Sequence, residues 1–150
     1  MLDGKSQENK TAADLCKKAS LFNAGASRAY YAIYQIAKHI LDTKKYDYKA
    51  FIEQNHLNGT KPYSHGTMPS ALVDCIKNNF PKSKEQEKCI HAINVYMNSL
   101  YAYRVKADYK NENLTQTELN IAINQMNKIK QAVESLSTCN SRNFGEEKND

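Results

Sequence analysis

Turn-forming residues are scarce in this sequence. Only five Gly and three Pro occur among its 150 residues, and Trp is absent. A protein built from many short strands needs frequent turns, which Gly and Pro usually supply. The scarcity therefore argues against an all-β fold and favours a few long helices. A chain of this length is the size of one domain and can bury a sizeable core without disulfides.

The sequence also lacks the signatures of disulfide, metal and membrane chemistry. Its four cysteines form no CxxC pair, so we expect free thiols, most of them small core residues. Cys89 and His91, even with His65, fit no standard zinc spacing, and we expect neither a metal nor a cofactor. No apolar run approaches the ~20 residues of a membrane span. With no signal peptide evident, we expect a cytoplasmic protein without membrane contact.

Strong charge of either sign is absent as well. The formal net charge is +5, and no run of Lys or Arg resembles a nucleic-acid-binding tail. A charge of this size gives long-range attraction to RNA, DNA or an acidic partner, and by itself it selects none of them.

Helical periodicity is what the sequence has in abundance. Apolar residues at helical spacing predict an all-α, antiparallel bundle of four to five helices, with the second and fourth helices packed together. We expect one domain over 1–139 and a polar, disordered tail over 140–150. The predicted helices are Thr11–Phe22, Ala24–Asp42, Met68–Asn79, Lys84–Ala107 and Thr115–Ser137, with a helical turn at Tyr48–Gln54 in a long connection over Lys44–Gly66. The TQTE at Thr115–Glu118 has the spacing of a capping box.

A first cluster of Arg and Tyr, RAYYAIY, lies in the predicted second helix. Helical spacing puts Arg28 and Tyr31 on a polar edge of this helix. Tyr30 and Tyr34 lean toward the apolar stripe, so we interpret them mainly as packing residues whose hydroxyls need partners.

A second cluster, YAYRVKADY, ends the predicted fourth helix. Arg104 and Asp108 are one helical turn apart and can form an ion pair. An Asp near the C-terminal end of a helix, however, opposes the helix macrodipole. This position suggests that Asp108 also binds a donor from the next helix or from a second subunit.

Three segments together resemble the small stand-alone HEPN proteins of prokaryotes. They are NAGASRAYYAIYQIAKHIL, YSHGTMPSAL and YRVKADY, and the resemblance spans roughly Leu15 to Leu136. In that family an S-R-A-Y-Y-A run opens a helix, a connection carries a short His/Ser/Gly motif, and the penultimate helix ends in an R-x-x-A-D-Y type motif. Here these are Ser27–Ala32, Ser64–Gly66 and Arg104–Tyr109.

The resemblance implies a helical bundle that usually dimerises. Many such proteins are metal-independent endoribonucleases, often toxins paired with a small nucleotidyltransferase as antitoxin, or parts of antiviral systems. Their site combines an Arg, which stabilises charge on phosphorus, with a His four to six residues later, which moves the proton of the ribose 2′-hydroxyl. In this sequence no His follows Arg104 within that distance. Arg104, Asp108 and Tyr109 remain as candidate catalytic residues, and Arg28, Tyr31, His65 and Arg104 as candidate RNA- or phosphate-binding residues.

Three functions stay open at this point. The first is an RNA-directed HEPN protein, either a nuclease that lacks the usual His or a toxin-like RNA binder. The second is a catalytically degenerate HEPN domain that acts as a binding or regulatory partner. The third is a nucleotide-binding protein whose arginine and tyrosine side chains hold a phosphate and stack a base. An exposed basic cleft around Arg104 favours the first, and a buried, mutually paired Arg104 and Asp108 favour the second.

Two further expectations concern the placement of these residues. Antiparallel helices bring the start of one beside the end of the other, so we expect Arg28, Arg104, Asp108 and Tyr109 in one polar cluster. We also expect a homodimer whose interface lies near these helix ends, with Tyr31 and Tyr101 as an exposed aromatic edge.

Overall fold

The computed structural model describes the backbone of residues 4–146 and the side chains of residues 4–137. Helices account for all the regular secondary structure in this part of the chain, which confirms the all-α prediction. In chain order the helices are α1 (Gly4–Lys18), α2 (Phe22–Thr43), α3 (Tyr48–Gln54), α4 (Met68–Asn79), α5 (Lys84–Ala92), a π-helical segment (Ile93–Met97), α6 (Asn98–Tyr109) and α7 (Gln116–Glu146).

The boundaries follow the sequence prediction closely except at the ends of the chain. α5, the π-helical segment and α6 succeed one another without a break and cover the predicted fourth helix. α1 begins and ends earlier than the predicted Thr11–Phe22. α7 ends at Glu146. The predicted tail over 140–150 lies outside the residues whose side chains the structure describes, and from residue 147 it also lies outside the described backbone.

Three helices are followed by a non-glycine residue in the left-handed conformation, where glycine is usual. After α1, Ser20 has a φ of 59°, and the amide of Leu21 donates to the carbonyl of Cys16 at 2.8 Å. This is the hydrogen-bond pattern of a Schellman motif, which normally uses Gly at the left-handed position. Lys45 after α2 and His56 after α3 also have a positive φ. This left-handed backbone conformation costs roughly 1–2 kcal/mol for each residue. Because Ser20 does not mark the end of a helix as a glycine would, the predicted end of α1 at Phe22 was too late.

α2 is the central helix of the bundle and packs against α1, α6 and α7. Its predicted apolar stripe is buried at Ala26, Tyr30, Ile33, Ala37 and Leu41 and half-buried at Ile40. Gly25 permits the close approach of α7, because a Cβ there would lie 2.8 Å from Leu119 Cδ1. The contact between α2 and α6 confirms the predicted packing of the second and fourth helices.

None of the described helices is long and apolar enough to cross a membrane.

Candidate functional site

The start of α2 meets the end of α6, and the two Arg-Tyr clusters lie at this junction. The side-chain contacts run in opposite order along the two helices, because Ser27 contacts Asp108 and Tyr31 contacts Arg104. The helices are therefore antiparallel neighbours, as the sequence predicted.

Arg104 is the centre of the junction, and only 8% of its surface is exposed. Its Nη2 donates to the hydroxyls of Tyr31, at 2.9 Å, and of Tyr109, at 3.0 Å. Its Nε lies 2.9 Å from Asp108 Oδ2. This N–H is poorly directed at the carboxylate, since Nε has no hydrogen-bond partner among the described residues, so the contact is an ion pair only. The guanidinium also lies 5.4 Å from the ring centre of Tyr31 and 4.9 Å from that of Tyr109.

Asp108 has a second partner, but the donor comes from α2 and not, as its helix position had suggested, from the next helix or a second subunit. Ser27 on α2 donates its hydroxyl to Asp108 Oδ2 at 3.2 Å. Arg104 and Ser27 thus share one carboxylate oxygen, and the pair ties α6 to α2. The i,i+4 pairing of Arg104 with Asp108 was predicted; the contribution of Ser27 was not.

Arg28 lies at the edge of this cluster and is exposed. Its guanidinium is 5.9 Å from the ring centre of Tyr31, and its Nη1 donates to Asn9 Oδ1 at 3.3 Å. In the described part of the chain it makes no hydrogen bond, ion pair or ring contact with Arg104, Asp108 or Tyr109. The expected cluster of four residues is therefore a compact group around Arg104, with Arg28 joined to it through Tyr31.

Tyr109 is largely exposed. Its side chain accepts from Arg104 through the hydroxyl while 70% of the residue surface stays open to solvent. Tyr31 and Tyr101, expected as an exposed edge, are both half-buried.

His65 reaches the same end of the bundle from the long connection. Its Nδ1 shares a short hydrogen bond with the hydroxyl of the buried Tyr30. Its ring stacks on Tyr101, with ring centres 5.1 Å apart and planes 13° from parallel. Burial, with the nearby Arg104 charge as a second cause, lowers the pKa of His65 below its ordinary value of 6.5. The neutral form of the imidazole is therefore favoured.

Tyrosine hydroxyls hold this connection in place. Tyr34 donates to the carbonyl of Tyr63 at 3.0 Å, and Tyr63 donates to Asp42 Oδ1 at 2.7 Å. The bond to Asp42, followed by burial, raises the pKa of Tyr63 to about 12. Tyr30 and Tyr34 thus pack as predicted, and their hydroxyls find the partners that burial requires.

Other parts of the surface carry less chemistry. An open groove of ≈ 920 Å³ lies between α5 and α7, lined by lysines, glutamates and His91, and away from Arg104. Within residues 4–137, no group of three His, Cys, Asp or Glu side chains is arranged to hold a metal. Burial raises the pKa of the Cys89 thiol to about 11, so this cysteine is an inert core residue.

Comparison with protein-family models, with curated proteins and with solved structures gives no match for this chain.

Proposed function

We propose that this chain is a HEPN-like protein that binds RNA and does not cleave it through Arg104. The observation that carries the proposal is the burial of Arg104 together with its pairing to Asp108. A buried Arg104 that is already paired supports a catalytically degenerate, binding domain, while the Asp108 side chain itself is 30% exposed. The expectation that the ligand is RNA comes from the resemblance of the Arg-Tyr motifs to HEPN proteins.

Chemistry at a phosphate needs donors that are free to meet charge as it develops. Asp108 already neutralises Arg104, and two tyrosine hydroxyls occupy its Nη2. A ligand that displaced Asp108 from Arg104 would leave the buried guanidinium without its counter-charge, which is unfavourable. Arg104 is thus better suited to hold Tyr31 and Tyr109 in place than to stabilise a transition state.

Binding, by contrast, uses what the junction leaves accessible. Arg28 offers an exposed guanidinium with no carboxylate partner among the described residues, and Tyr109 offers an exposed ring. Arg and aromatic side chains are the groups that hold phosphates and stack unpaired bases in RNA-binding proteins. The net charge of +5 adds long-range attraction.

A second candidate function, metal-independent RNA cleavage, is favoured by the position of His65. A neutral imidazole near the Arg104 charge is able to take the proton of a ribose 2′-hydroxyl. The 2′-oxygen would then attack phosphorus, leaving a 2′,3′-cyclic phosphate, and solvent would protonate the departing 5′-oxygen. In this case His65, which comes from the connection, takes the place of the absent His after Arg104.

One experiment separates the two candidates. Purified protein is incubated with total RNA in EDTA and analysed on a denaturing gel, and in parallel a labelled single-stranded RNA is titrated by fluorescence anisotropy. We expect binding without cleavage, and Arg28→Ala should weaken it. Lys77→Ala, which removes an exposed lysine on α4, is the charge-matched control. Cleavage that His65→Gln abolishes would establish the second candidate, and neither binding nor cleavage would overturn both.

We further propose a homodimer whose interface lies near the α2–α6 junction and leaves Arg28 and Tyr109 open to RNA, and a nucleotidyltransferase-type protein as a partner, both on the strength of the HEPN resemblance. Light scattering at tens of micromolar protein tests the dimer, and a monomeric mass would contradict it.

A further inference from the structure

We infer that the hydroxyls of Tyr31 and Tyr109, together with Arg28, form a subsite for one phosphate group of single-stranded RNA. This inference rests on the proposed RNA binding and assigns its point of contact. Arg104 is a positioning residue in this scheme and does not itself meet the ligand.

The two hydroxyls converge because one nitrogen holds both. Arg104 Nη2 donates to Tyr31 at 2.9 Å and to Tyr109 at 3.0 Å, so each phenolic oxygen acts as an acceptor. Each hydroxyl therefore still has its own hydrogen to donate. No acceptor for either hydrogen is found among the described side chains. The two oxygens are no farther apart than the sum of these distances, a gap that one phosphate can bridge with O–H···O bonds of about 2.7 Å.

The hydrogen bonds that Arg104 donates strengthen both donors, although its charge is paired with that of Asp108. A hydroxyl that accepts a bond from a cation is polarised and becomes a better donor in turn. Because Arg104 is buried, solvent screens its effect on the two hydroxyls only weakly. The carboxylate of Asp108 would repel an anion, but the charge of Arg104 and the hydroxyl of Ser27 already compensate it.

Arg28 supplies the accessible positive charge. It lies over the ring of Tyr31, and its hydrogen bond to Asn9 is a long, exposed contact of 3.3 Å that a phosphate can displace. The ring of Tyr109, which is 70% exposed, gives an adjacent stacking surface. An unpaired base can stack there and a paired base cannot, so the subsite fits a single strand.

Tyrosine-to-phenylalanine variants isolate the hydroxyls, because they keep the rings. A fluorescein-labelled oligouridine of about ten nucleotides is titrated at several salt concentrations by anisotropy. We expect Tyr31→Phe and Tyr109→Phe each to weaken binding by about 3- to 10-fold, with the slope of log K against log salt unchanged. Arg28→Ala should reduce that slope by about 0.7, since it removes one cation from a single-strand complex. Lys77→Ala should bind like the wild type, and circular dichroism should show all variants folded.

A second measurement keeps the subsite testable without RNA. The tyrosine ring resonances are followed by NMR during titration with inorganic phosphate, against chloride at equal ionic strength. Shifts specific to phosphate that both phenylalanine variants remove would support the subsite, and shifts that persist in the variants, or no shifts, would overturn it. If the wild type binds oligouridine and the phenylalanine variants bind equally well, the subsite is wrong while RNA binding stands. If oligouridine fails to bind while phosphate acts through the two hydroxyls, the subsite holds for free phosphate and the RNA proposal fails.

Discussion

The Nη2 of Arg104 on α6 donates to the hydroxyl of Tyr31 on α2 at 2.9 Å. This bond crosses between two helices whose motifs are far apart in sequence. It also orients a half-buried aromatic ring whose other neighbour is the exposed Arg28. Arg104 therefore positions the tyrosine side chains of this surface from inside the fold. Its effect on stability can be measured separately from any effect on ligand binding.

Replacing Arg104 with Ala should destabilise the fold. The change strips Asp108 of its counter-charge and removes the shared donor of Tyr31 and Tyr109. Because the Arg104 and Asp108 side chains are 10% and 30% exposed, we expect less than a fully buried pair would cost, about 2–3 kcal/mol. For a domain of this size that lowers Tm by roughly 5–10 °C, measurable by calorimetry.

Arg28→Ala is the natural control for that measurement. Arg28 is exposed, and its one described hydrogen bond is long, so its loss should change Tm by no more than about 1–2 °C. Equal destabilisation by both substitutions would contradict the assignment of Arg104 as the buried positioning residue and Arg28 as the accessible cation.

Ser27→Ala should be destabilising by about 1–2 kcal/mol. The buried Ser27 hydroxyl donates to the Asp108 carboxylate, and hydrogen bonds to charged groups contribute more than neutral ones. Urea unfolding of Ser27→Ala, Asp108→Asn and the double variant measures the coupling between the two residues. Ser70→Ala on α4, where the serine is exposed, controls for the serine-to-alanine change itself. Additive effects of the two substitutions would mean that the contact contributes nothing.

The capping box at the start of α7 gives a local prediction. The amide of Glu118 donates to Thr115 Oγ1 at 3.2 Å, and the amide of Thr115 donates back to Glu118 Oε1 at 3.1 Å, as the TQTE spacing predicted. Thr115→Ala should lower the free energy of unfolding by about 1 kcal/mol. Thr117→Ala changes an exposed threonine within the helix and should have little effect. Equal losses in the two variants would indicate that helix propensity, and not the cap, is responsible.

Local patterns in the sequence were enough for the helices and for the centre of the junction. The apolar stripe of α2, the capping box and the ion pair of Arg104 with Asp108 each follow from spacing within one helix. Spacing did not decide which of two adjacent polar residues turns inward, and Ser27 is buried where Arg28 is exposed. That choice is made by the packing of α6 against α2, which no single-helix pattern contains.

The position of His65 was beyond such patterns for a different reason. It depends on the path of a long connection, which is fixed by contacts between residues distant in sequence. Tyr63 adopts a φ of 62°, which its residue type does not predict, and its hydroxyl donates a hydrogen bond to Asp42 on α2. The hydroxyl of Tyr48 then lies 2.6 Å from Thr67 Oγ1 and fixes the end of the connection. The sequence offered only the short YSHG motif as a hint.

The same histidine leads to a prediction about pH. His65 packs against Tyr30, Tyr34 and Tyr101, and the charged group near it is Arg104, which is itself paired with Asp108. Burial and the Arg104 charge lower the pKa of His65 in the folded state below its unfolded value of 6.5. The unfolded chain therefore binds more protons in the window below pH 6.5, and the free energy of unfolding must fall as pH decreases through it.

Urea unfolding between pH 7.5 and pH 5.5 measures this dependence directly. In wild-type protein we expect stability to decrease on acidification within that window, and in His65→Gln the decrease should be smaller, because the glutamine does not titrate. His91 lies in the groove between α5 and α7, away from Arg104, so His91→Gln serves as the matched control for the His-to-Gln change itself. An NMR titration that places the pKa of His65 above 6.5, or an equal pH dependence in wild type and His65→Gln, would show that the imidazole is not held in its neutral form beside Tyr30 and Arg104.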